Sequence, residues 1–301
     1  MIDVSIIIVN YNTSILINNA IRSIREFTNG ISYEIIVVDN ATENLYDTLE
    51  SSEDLDVKLL QLKQNIGFGR ANNEGVKIAS GRNILFLNPD TIIVNDAITQ
   101  LSEYLDNHAE CGACGGNLFD ENMNPTRSFR RIYPTTFGMI STTFMGGLYE
   151  NLKTRGIKDF NPTSYPLNVA YIVGADLMIR HNDLIKYGAF DPDFFMYYEE
   201  IELCYRLNMI GYKIVNIPSA KIQHLEGKAG AMGEKKASMH YASAQTFFKK
   251  TLSKDKYIIH NKLLKYIIKI RLLISNVLQK KDSIIYWSVW QQLYKQDYQN
   301  K

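Results

Sequence analysis

Short β-branched apolar segments alternate with amphipathic segments along the first third of this chain. The apolar segments predict buried strands, and the segments between them carry apolar residues at helical spacing. The predicted strands cover residues 4–9, 33–38, 57–62 and 83–87, and the predicted helices cover residues 14–28, 43–52 and a segment that ends near 79. Strand–helix alternation at this spacing is typical of a parallel sheet covered by helices. We therefore expect an α/β fold with a mostly parallel central sheet.

Polar side chains follow the predicted strands at their carboxyl ends. Asn10 and Asn12 follow the first strand, and Asp39 ends the second. Asn65 follows the third strand and Asp90 follows the fourth. Ligands of open α/β sheets bind in the crevice at this edge. The sequence therefore predicts one binding site that is built from several strand ends.

The 301-residue chain divides by charge into an acidic body and a basic tail. Residues 1–227 carry a net charge of −10, and residues 228–301 carry a net charge of +11. We expect a catalytic domain over residues 1–227 and a mostly helical extension over residues 228–301. A basic tail favours an anionic partner, either a membrane surface or nucleic acid. No recognised nucleic-acid-binding module is apparent, which argues against nucleic acid.

The three cysteines do not form a disulfide framework. Cys111 and Cys114 lie in a small-residue segment that predicts a core strand, and no second pair follows at zinc-finger spacing. No basic segment followed by a hydrophobic run opens the chain, so we expect no signal peptide and a cytoplasmic protein.

Three glutamates follow a run of large hydrophobic and aromatic residues at 194–198. They are Glu199, Glu200 and Glu202. Burial beside rings and a neighbouring carboxylate both raise the pKa of a carboxyl group, which suits a general base. The alternative interpretation is an acidic first turn that complements the dipole of a helix.

Two aspartates at strand ends each allow a functional and a structural interpretation. Asp39 either binds the ribose or base of a nucleotide or closes an Asx turn. Pro89 fixes the backbone after the fourth strand and presents Asp90 at the sheet edge. A carboxylate there suits a hard divalent cation that shares phosphate oxygens, and the alternative is a turn that caps the next helix.

His224 and a group of arginines add candidates for binding an anionic ligand. His224 follows a predicted strand and precedes a glycine-containing loop, and it either completes a metal site with Asp90 or is structural. Arg127, Arg130 and Arg131 lie in a proline-flanked loop, where a diphosphate clamp and a solvated face both fit. The segment 67–69 lacks the third glycine of a dinucleotide-binding fingerprint, so no Rossmann site is predicted.

Taken in order, these motifs resemble the family 2 glycosyltransferases, and the nearest branch resembles the bacterial rhamnosyltransferase-like enzymes. The resemblance covers roughly residues 3–227. Its motifs are VSIIIVNYN from Val4, IVVDN around Asp39, NIGFGRAN ending at Asn72, LNPD ending at Asp90, GAD ending at Asp176 and MYYEEIELCYR around Glu200.

The resemblance implies a GT-A fold, a nucleoside-diphosphate-sugar donor, a Mg²⁺ or Mn²⁺ ion and inversion at the anomeric carbon. It implies that Asp90 and His224 hold the metal, with Asn88 as a neutral ligand in place of the first aspartate of an Asp-x-Asp motif. The family's Glu-Asp pair appears as Glu199-Glu200, which assigns the base to Glu200 and leaves Glu199 as the neighbouring candidate. Implied nucleotide or sugar contacts are Asn10, Asn12, Asp39, Gly67, Asn72 and Asp176. Apart from the resemblance, Arg130 or Arg131 is the candidate diphosphate clamp.

The tail contains a segment that predicts a basic amphipathic helix. One stripe holds Lys262, Lys265 and Lys269, and the opposite stripe holds Leu263, Ile267, Ile270 and Ile274. Four charges over residues 262–278 argue against a helix that spans the bilayer. We expect the helix to lie on an anionic membrane surface, with Tyr286, Trp287 and Trp290 as interfacial anchors. The alternative is that the apolar stripe packs on the catalytic domain or on a second copy of the chain, as in a homodimer.

The sequence therefore predicts an inverting, metal-dependent glycosyltransferase of cell-surface polysaccharide synthesis. Its donor is expected to carry rhamnose or another hexose, and its acceptor is expected to be a hydroxyl of a glycan or a lipid-linked saccharide. We expect it to be peripheral on the cytoplasmic face of the inner membrane. The alternative is a sugar-nucleotide-binding or scaffold protein that has lost turnover, because Glu199-Glu200 and Asn88-Pro89-Asp90 depart from the family pattern.

Overall fold

A computed structural model describes residues 2–42, 57–225 and 233–298 of the protein. The helix expected over residues 43–52 and the loop glycines Gly227 and Gly230 lie outside the described residues. The chain forms two compact units. The first unit contains the residues up to Tyr133, Ile157–Pro192 and the segment that begins at Glu199. The second contains Pro134–Gly156, Asp193–Tyr198 and the C-terminal segment. The second unit thus contains two segments that precede the boundary expected near residue 227. The division into a catalytic domain and an extension at that residue stays a prediction.

The strands all belong to the first unit. In chain order they are β1 (Val4–Asn10), β2 (Tyr33–Asp39), β3 (Val57–Gln61), β4 (Asn83–Leu87), β5 (Thr91–Ile93), β6 (Cys111–Phe119), β7 (Phe129–Arg130), β8 (Leu167–Val169), β9 (Tyr171–Ile172), β10 (Asp176–Arg180) and β11 (Lys213–His224).

The helices divide between the two units. The first unit contains α1 (Ser14–Phe27), α2 (Phe68–Ile78), α3 (Ala97–Asn107), α6 (His181–Tyr187) and α7 (Glu199–Met209), and the second contains α4 (Thr136–Phe144), α5 (Leu148–Thr154), α8 (Glu234–Thr251), α9 (Lys254–Val277) and α10 (Lys281–Tyr298).

The central sheet has the strand order β3-β2-β1-β4-β10-β6-β11-β5, and β8 pairs with β11. The strands β1 to β4 run parallel, as the alternation predicts. In contrast, β10 is antiparallel to both of its neighbours, and β5 and β8 are antiparallel to β11. The α/β class is confirmed, and the sheet is mixed where a mostly parallel one was expected. The reason is that β10 begins at the carboxyl edge of β4 and can run only back toward the amino edge.

Side chains of β1 alternate between two apolar faces of the sheet. Ile6 and Ile8 face the core that α1 and α3 cover, whereas Ile7 and Val9 face the core that α2, α6 and α7 cover. Burial on both faces explains the continuous apolar run of this strand. The predicted core strand around Cys111 and Cys114 is also present as part of β6, and both thiols are buried.

The second unit has an aromatic core of its own. Trp290 is 2% exposed, and its ring packs against His240, Tyr241 and Tyr286. Ile267 of α9 is also buried. The prediction that Trp290 and Ile267 face a membrane is therefore wrong, because both side chains complete the packing of this helical unit. Among the described residues, no helix combines the length and the apolar composition needed to cross a bilayer.

Glu34 joins three segments at the amino edge of the sheet. Its buried carboxylate accepts hydrogen bonds from the hydroxyls of Ser5 (2.6 Å) and Ser80 (2.7 Å), and Lys58 Nζ lies 2.5 Å away. Burial opposes ionisation, but the partners outweigh it and lower the pKa of Glu34 to about 2. Because folding lowers this pKa, the stabilisation is present above the unfolded value near 4.5 and is lost as the pH falls toward 2.

We expect Glu34→Gln to lower the free energy of unfolding by about 2–3 kcal/mol at pH 7, because it removes the charge that these donors stabilise. The difference from wild type should shrink as the pH falls from about 4.5 toward 2. Urea unfolding at several pH values measures both effects. The control is Glu74→Gln, which breaks the exposed Lys77 pair (2.7 Å) and should cost less than about 0.5 kcal/mol. A loss that does not depend on pH would contradict the assignment.

Candidate active site

Side chains join the carboxyl ends of β1 and β2. The Nδ2 group of Asn10 donates to Asp39 Oδ1 (2.9 Å) and to Thr42 Oγ1 (3.1 Å). The N–H of Thr42 donates to Asp39 Oδ2 (3.1 Å), which closes a turn after β2. Asn10 and Asp39 are both fully buried. The turn therefore fixes the carboxylate of Asp39 at the sheet edge, so the structural interpretation of Asp39 holds whether or not it also binds a ligand.

Asn12 lies in the turn that follows β1. Its φ of 58° is a left-handed conformation, which asparagine tolerates better than most residues. Its N–H donates to Thr42 Oγ1 (3.0 Å), and the residue is exposed. Asn12 is therefore accessible to a ligand, whereas Asn10 is engaged in orienting Asp39.

Asn40 organises the loop that leads into α2. Its Nδ2 group donates to Asn65 Oδ1 (3.0 Å), and its Oδ1 accepts from the N–H of Ile66 (2.9 Å). Asn65 Oδ1 also accepts from the N–H of Gly67 (3.0 Å). Gly67 has a φ of 94°, a conformation that favours glycine. These contacts explain why the Asn-Ile-Gly segment occurs here, and they fix the start of α2.

Two predicted ligand contacts are buried. Asn72 is 1% exposed, and its Nδ2 group donates to the carbonyl of Phe68 (3.1 Å) within α2. Asp176 is fully buried and accepts a hydrogen bond from the N–H of Gly116. Its Oδ1 atom has no hydrogen-bond partner within the described parts of the chain, and burial raises the pKa of Asp176 well above its ordinary value. Their contacts with nucleotide or sugar stay predictions.

Asn88, Asp90 and His224 come together through the pairing of β5 with β11. The register places His224 opposite Thr91, so that His224 Nε2 lies 3.2 Å from Asp90 Oδ1. The amide nitrogen of Asn88 lies 3.3 Å from the same imidazole nitrogen. Burial opposes ionisation of Asp90, but the hydrogen bond and charge of His224 lower the pKa of Asp90 below its usual value.

The chemistry of this group fits a divalent cation. It offers a carboxylate oxygen and an imidazole nitrogen, and rotation of the Asn88 amide would exchange its nitrogen for an oxygen. The Asp90 side chain is 17% exposed, so an ion there is reachable from solvent. Across the described residues, no three His, Cys, Asp or Glu side chains gather at ion-binding distances. An ion held by Asp90 and His224 would therefore take its remaining ligands from water and phosphate.

Glu199 and Glu200 occupy the first turn of α7 in different surroundings. Glu199 is 5% exposed and its Oε2 atom lacks a hydrogen-bond partner among the residues that the structure describes. Burial and then the charge of Glu200 raise the pKa of Glu199 well above its ordinary value. Glu200 is partly exposed, and burial raises its pKa to about 7 despite opposing backbone hydrogen bonds. Glu200 is thus the better placed of the two for proton transfer near neutral pH.

Glu202 does not belong to this acidic pair. Its carboxylate forms a two-point ion pair with Arg206, with Nε–Oε1 and Nη2–Oε2 distances of 3.0 Å. Arg206 also donates to the carbonyls of Gly188 (2.8 Å) and Ala189 (2.7 Å). The contact is therefore structural, and it anchors the loop before α7.

Arg130 lies in β7, which pairs with β9 and places Arg130 opposite Tyr171. Its carbonyl accepts from the N–H of Ala170 (2.8 Å). Arg127 Nε lies 4.0 Å from Asp159 Oδ2 at the surface. The diphosphate clamp expected at Arg130 stays a prediction, and the pairing of β7 with β9 explains the placement of its backbone.

Backbone pairing connects the acidic helix with the group of Asn88, Asp90 and His224. The carbonyl of Ala175 accepts from the N–H of Asn88 (2.9 Å), which sets the start of β10 at the carboxyl edge of β4. A Cβ atom added to Gly174 would lie 3.6 Å from the Cβ and Cγ atoms of Glu200. Asn10 and Asp39 reach the same edge, because β1 runs parallel to both β2 and β4. The common sheet edge predicted from the sequence is therefore present in the first unit.

The sequence interpretation missed two residues that shape this edge. Thr42 supplies the hydroxyl and N–H that join Asn10, Asn12 and Asp39. A threonine lies three positions after Asp39, and this spacing is typical of a turn that the aspartate side chain closes. Gly174 belongs to a sequence motif, but only the fold brings it beside Glu200, where an added Cβ atom would lie 3.8 Å from the carboxyl carbon.

The model of the glycosyl transferase family 2 matches residues 5–187, which is more than half of the chain. The chain belongs to this family. As a family 2 member, it has relatives whose names describe sugar transfer, and they include rhamnosyltransferases.

Rhamnosyltransferase WbbL of Escherichia coli K12 is 29% identical over 170 residues, which cover 52% of this chain and 60% of WbbL. The dTDP-rhamnosyl transferase RfbF of Shigella flexneri is 27% identical over 228 residues, which cover 73% of this chain and 68% of RfbF. The N-acetylglucosaminyl-diphospho-decaprenol L-rhamnosyltransferase of Mycobacterium tuberculosis is 26% identical over 215 residues, which cover 64% of this chain and 66% of that enzyme. The chain thus spans only about two thirds or less of the length of these relatives.

Solved structures of glycosyltransferases share the fold. GalNAc-T7 with UDP, GalNAc and Mn²⁺ has a TM-score of 0.56 at 15% identity, covering 87% of this chain and 55% of GalNAc-T7. The 1–349 segment of S. aureus TarS has a TM-score of 0.52 at 14% identity, covering 98% of this chain and 92% of the TarS segment. At these identities the likeness concerns the fold alone, and it confirms the expected GT-A architecture.

We expect Asp90→Ala to weaken Mn²⁺ binding in the presence of UDP or dTDP by a factor of roughly 10 or more, because it removes the only carboxylate of the predicted ion site. Calorimetric titration of Mn²⁺ into the protein–nucleotide mixture measures the affinity. The control is Asp159→Ala, which removes a half-exposed aspartate of the same unit. Equal Mn²⁺ affinities in wild type and Asp90→Ala would remove Asp90 from the metal site.

Proposed function

We propose that the protein is an inverting glycosyltransferase that moves a sugar from a nucleoside diphosphate to a hydroxyl group of a saccharide acceptor. One observation carries the proposal: the ends of β1, β2 and β4 and the first turn of α7 supply polar groups to one edge of the sheet. Membership of glycosyl transferase family 2 supports the reaction class. The metal dependence and the inversion belong to the proposal.

Glu200 is proposed as the general base. A base must remove the proton of the acceptor hydroxyl near the working pH, and its pKa of about 7 suits that task. Gly174 adds no side chain beside Glu200, since a Cβ atom there would lie 3.8 Å from the carboxyl carbon of Glu200. Glu199 is too buried to exchange protons with an acceptor, and its negative form would raise the pKa of Glu200 further.

The proposed reaction is one displacement. The acceptor oxygen attacks the anomeric carbon and forms the new glycosidic bond, while its proton moves to Glu200. The bond between the anomeric carbon and the diphosphate oxygen breaks, and the nucleoside diphosphate leaves with the electron pair. A single attack from the opposite side inverts the anomeric configuration.

The other residues of the site are proposed to bind and orient the donor. Asp39 and Asn12 are proposed to contact the nucleoside, and Asp90 and His224 are proposed to hold a Mg²⁺ or Mn²⁺ ion. Such an ion would neutralise charge on the departing diphosphate. Arg130 is the proposed further contact for that diphosphate, and Asp176 is the proposed contact for a sugar.

Rhamnose is the first donor sugar to test. The names of WbbL, RfbF and the M. tuberculosis enzyme all describe rhamnosyl transfer, and the last names a lipid-linked acceptor. We therefore propose dTDP-rhamnose, then UDP- and GDP-hexoses, as donors, and a lipid-linked saccharide of cell-surface polysaccharide synthesis as the acceptor class. The second candidate is a sugar-nucleotide-binding protein without turnover, which the Glu199-Glu200 pair motivates. Release of nucleoside diphosphate from one donor of this panel separates the two candidates.

We expect Glu200→Gln to bind nucleotide as wild type does and to transfer sugar slower by a factor on the order of 10² or more, because the amide cannot take the proton. In wild type, the transfer rate should rise as the pH increases through about 7, since the base works in its deprotonated form. Release of nucleoside diphosphate at several pH values measures both effects.

The control for this experiment is Glu202→Gln, which changes the same residue type in the same helix but only breaks the Arg206 pair. It should keep most of the activity, because Arg206 keeps its hydrogen bonds to the carbonyls of Gly188 and Ala189. Turnover of Glu200→Gln near the wild-type rate would move the base to another residue.

We further propose that the second unit binds an anionic membrane surface, through a different face of α9 from the one that the sequence indicates. Lys262 and Lys269 are exposed on α9. The apolar side chains of Tyr266 (60% exposed) and Leu273 (65%) lie between and beyond them on the same side of the helix. A row of lysines beside exposed apolar groups matches anionic headgroups above an acyl region.

The neighbouring helices of the same unit add exposed apolar area. Phe137 and Phe144 of α4 are 55% and 61% exposed, and Leu152 of α5 is 71% exposed. The Arg271 side chain of α9 donates to Thr143 of α4 (3.0 Å), so these helices belong to one packed unit. We propose that these exposed apolar side chains contribute to the membrane-binding surface. Location on the cytoplasmic face of the inner membrane is proposed on this basis.

We expect the double variant Lys262→Glu, Lys269→Glu to lose roughly tenfold or more of its affinity for vesicles of equal parts phosphatidylglycerol and phosphatidylcholine, because each lysine contributes about 1 kcal/mol at such a surface. Vesicle sedimentation at rising salt measures the binding, with pure phosphatidylcholine and duplex DNA as parallel arms. The control is Lys254→Glu, Lys256→Glu, with the same charge change on the first turn of α9. Equal losses in both double variants, or tighter binding to DNA, would contradict the proposed surface.

A further inference from the structure

Two consecutive tyrosines with left-handed backbone precede the acidic turn of α7. Tyr197 has a φ of 71° and Tyr198 a φ of 67°. Bulky residues adopt this region at a cost, so surrounding contacts must impose it. Such strain clusters at functional sites. Because Tyr198 directly precedes Glu199, its backbone direction sets the entry of the chain into α7.

Helix α8 supplies the contacts that hold this segment. The ring of His240 lies 5.6 Å from the ring of Tyr197 and 5.1 Å from that of Tyr198. Ser243 Oγ donates to the carbonyl of Met196 (2.7 Å). All of these residues belong to the second unit, although Glu199 and Glu200 belong to the first. The C-terminal helices therefore contact the strained segment directly.

Two further contacts join α8 to the segment that precedes α7. Phe247 packs on Tyr198 with ring centroids 5.5 Å apart, and Lys250 Nζ lies 2.7 Å from Asp193 Oδ2. Helix α8 carries four of the contacting residues, His240, Ser243, Phe247 and Lys250. The spacing of 240, 243, 247 and 250 alternates three and four residues, which places the four side chains along one side of the helix.

His240 is itself held in place by α10. The hydroxyl of Tyr286 lies 2.8 Å from His240 Nδ1, and the ring of Trp290 lies 5.9 Å from the imidazole. Burial lowers the pKa of His240 to about 4. The imidazole is therefore neutral near pH 7, and its tautomer sets whether Nδ1 accepts from the Tyr286 hydroxyl or donates to it.

We propose that His240 is a positioning residue for Glu200, and that α8 acts through the Tyr197–Tyr198 turn to orient the first turn of α7. This inference rests on the proposed role of Glu200 as the base. The C-terminal helices then contribute to catalysis itself, in addition to any surface that they bind. A base must lie within hydrogen-bond reach of its proton, so a small change in the direction of α7 has a large effect on transfer.

The test compares two buried histidines of the second unit. His240→Ala removes the ring that packs on both tyrosines. His260→Ala removes a ring that stacks on Phe248 (4.0 Å) and also has a pKa lowered to about 4 by burial. His240→Phe keeps an aromatic ring beside the tyrosines and loses only the hydrogen bond to Tyr286. The three variants separate loss of stability from loss of positioning.

We expect His240→Ala to lower kcat by roughly tenfold or more while the KM for the donor changes by less than about twofold, because donor contacts lie on other elements. His240→Phe should recover most of kcat, and His260→Ala should keep kcat within about twofold at a similar loss of Tm. Unchanged kcat in His240→Ala, or an equal drop in His260→Ala, would overturn the proposal.

A second readout does not depend on turnover. With ¹³C-labelled glutamate, the side-chain carboxyl resonance that disappears in Glu200→Gln reports the titration of Glu200. We expect it to titrate near pH 7 in wild type and in His260→Ala, and to move toward the ordinary glutamate value in His240→Ala. An unchanged titration in His240→Ala would contradict positioning, even if no donor of the panel were turned over. Absence of turnover with the predicted shift present would contradict only the proposed function.

A milder pair of variants serves if His240→Ala does not fold. Ser243→Ala removes one hydrogen bond to Met196, whereas Ser238→Ala removes one hydrogen bond to Lys235 within the same helix. We expect a shifted Glu200 titration in Ser243→Ala alone. The same result in both serine variants, or no shift in either, would overturn the proposal.

Discussion

The antiparallel pairing of β10 with β4 is the constraint on which the site depends. The hydrogen bond from the N–H of Asn88 to the carbonyl of Ala175 fixes where β10 begins. Gly174 is thereby set at the edge where β4 ends, beside Glu200. A strand entering in the parallel direction would begin at the opposite edge, more than a strand length away from Asp90. A shift of one residue would exchange the two faces of β10 and bury the wrong side chains.

Sequence patterns predicted the elements that have a short-range apolar periodicity. The bounds of α1 and β4 lie within about a residue of the prediction, because apolar spacing and flanking polar residues mark them directly. The direction of β10 could not be predicted, since Leu177–Arg180 has the same pattern in either direction. The burial of Trp290 could not be predicted either, because its partners His240 and Tyr241 lie about fifty residues earlier.

The candidate site follows the same division between local pattern and long-range packing. The sequence brings Glu199, Glu200 and Glu202 together but does not distinguish them. In the fold, Glu202 forms an ion pair with Arg206, Glu199 is buried, and Glu200 lies beside Gly174. Likewise, Asp90 and His224 are 134 positions apart, and only the register of β5 against β11 makes them neighbours. Residue type therefore indicated candidate members of the site, and tertiary pairing determined their surroundings.

The basic C-terminal helices form a packed core in addition to carrying a net positive charge. A loosely structured tail without an aromatic core could carry the same net positive charge. Instead, the ring of Trp290 on α10 packs against Tyr241 of α8 (5.2 Å), and Tyr294 of α10 donates to the carbonyl of Asn261 on α9 (3.0 Å). These contacts join the helix with the exposed lysines to the helix that holds Tyr197 and Tyr198. A packed core is what a segment needs if it must fix a strained backbone, because a mobile tail could not impose a left-handed conformation on two tyrosines.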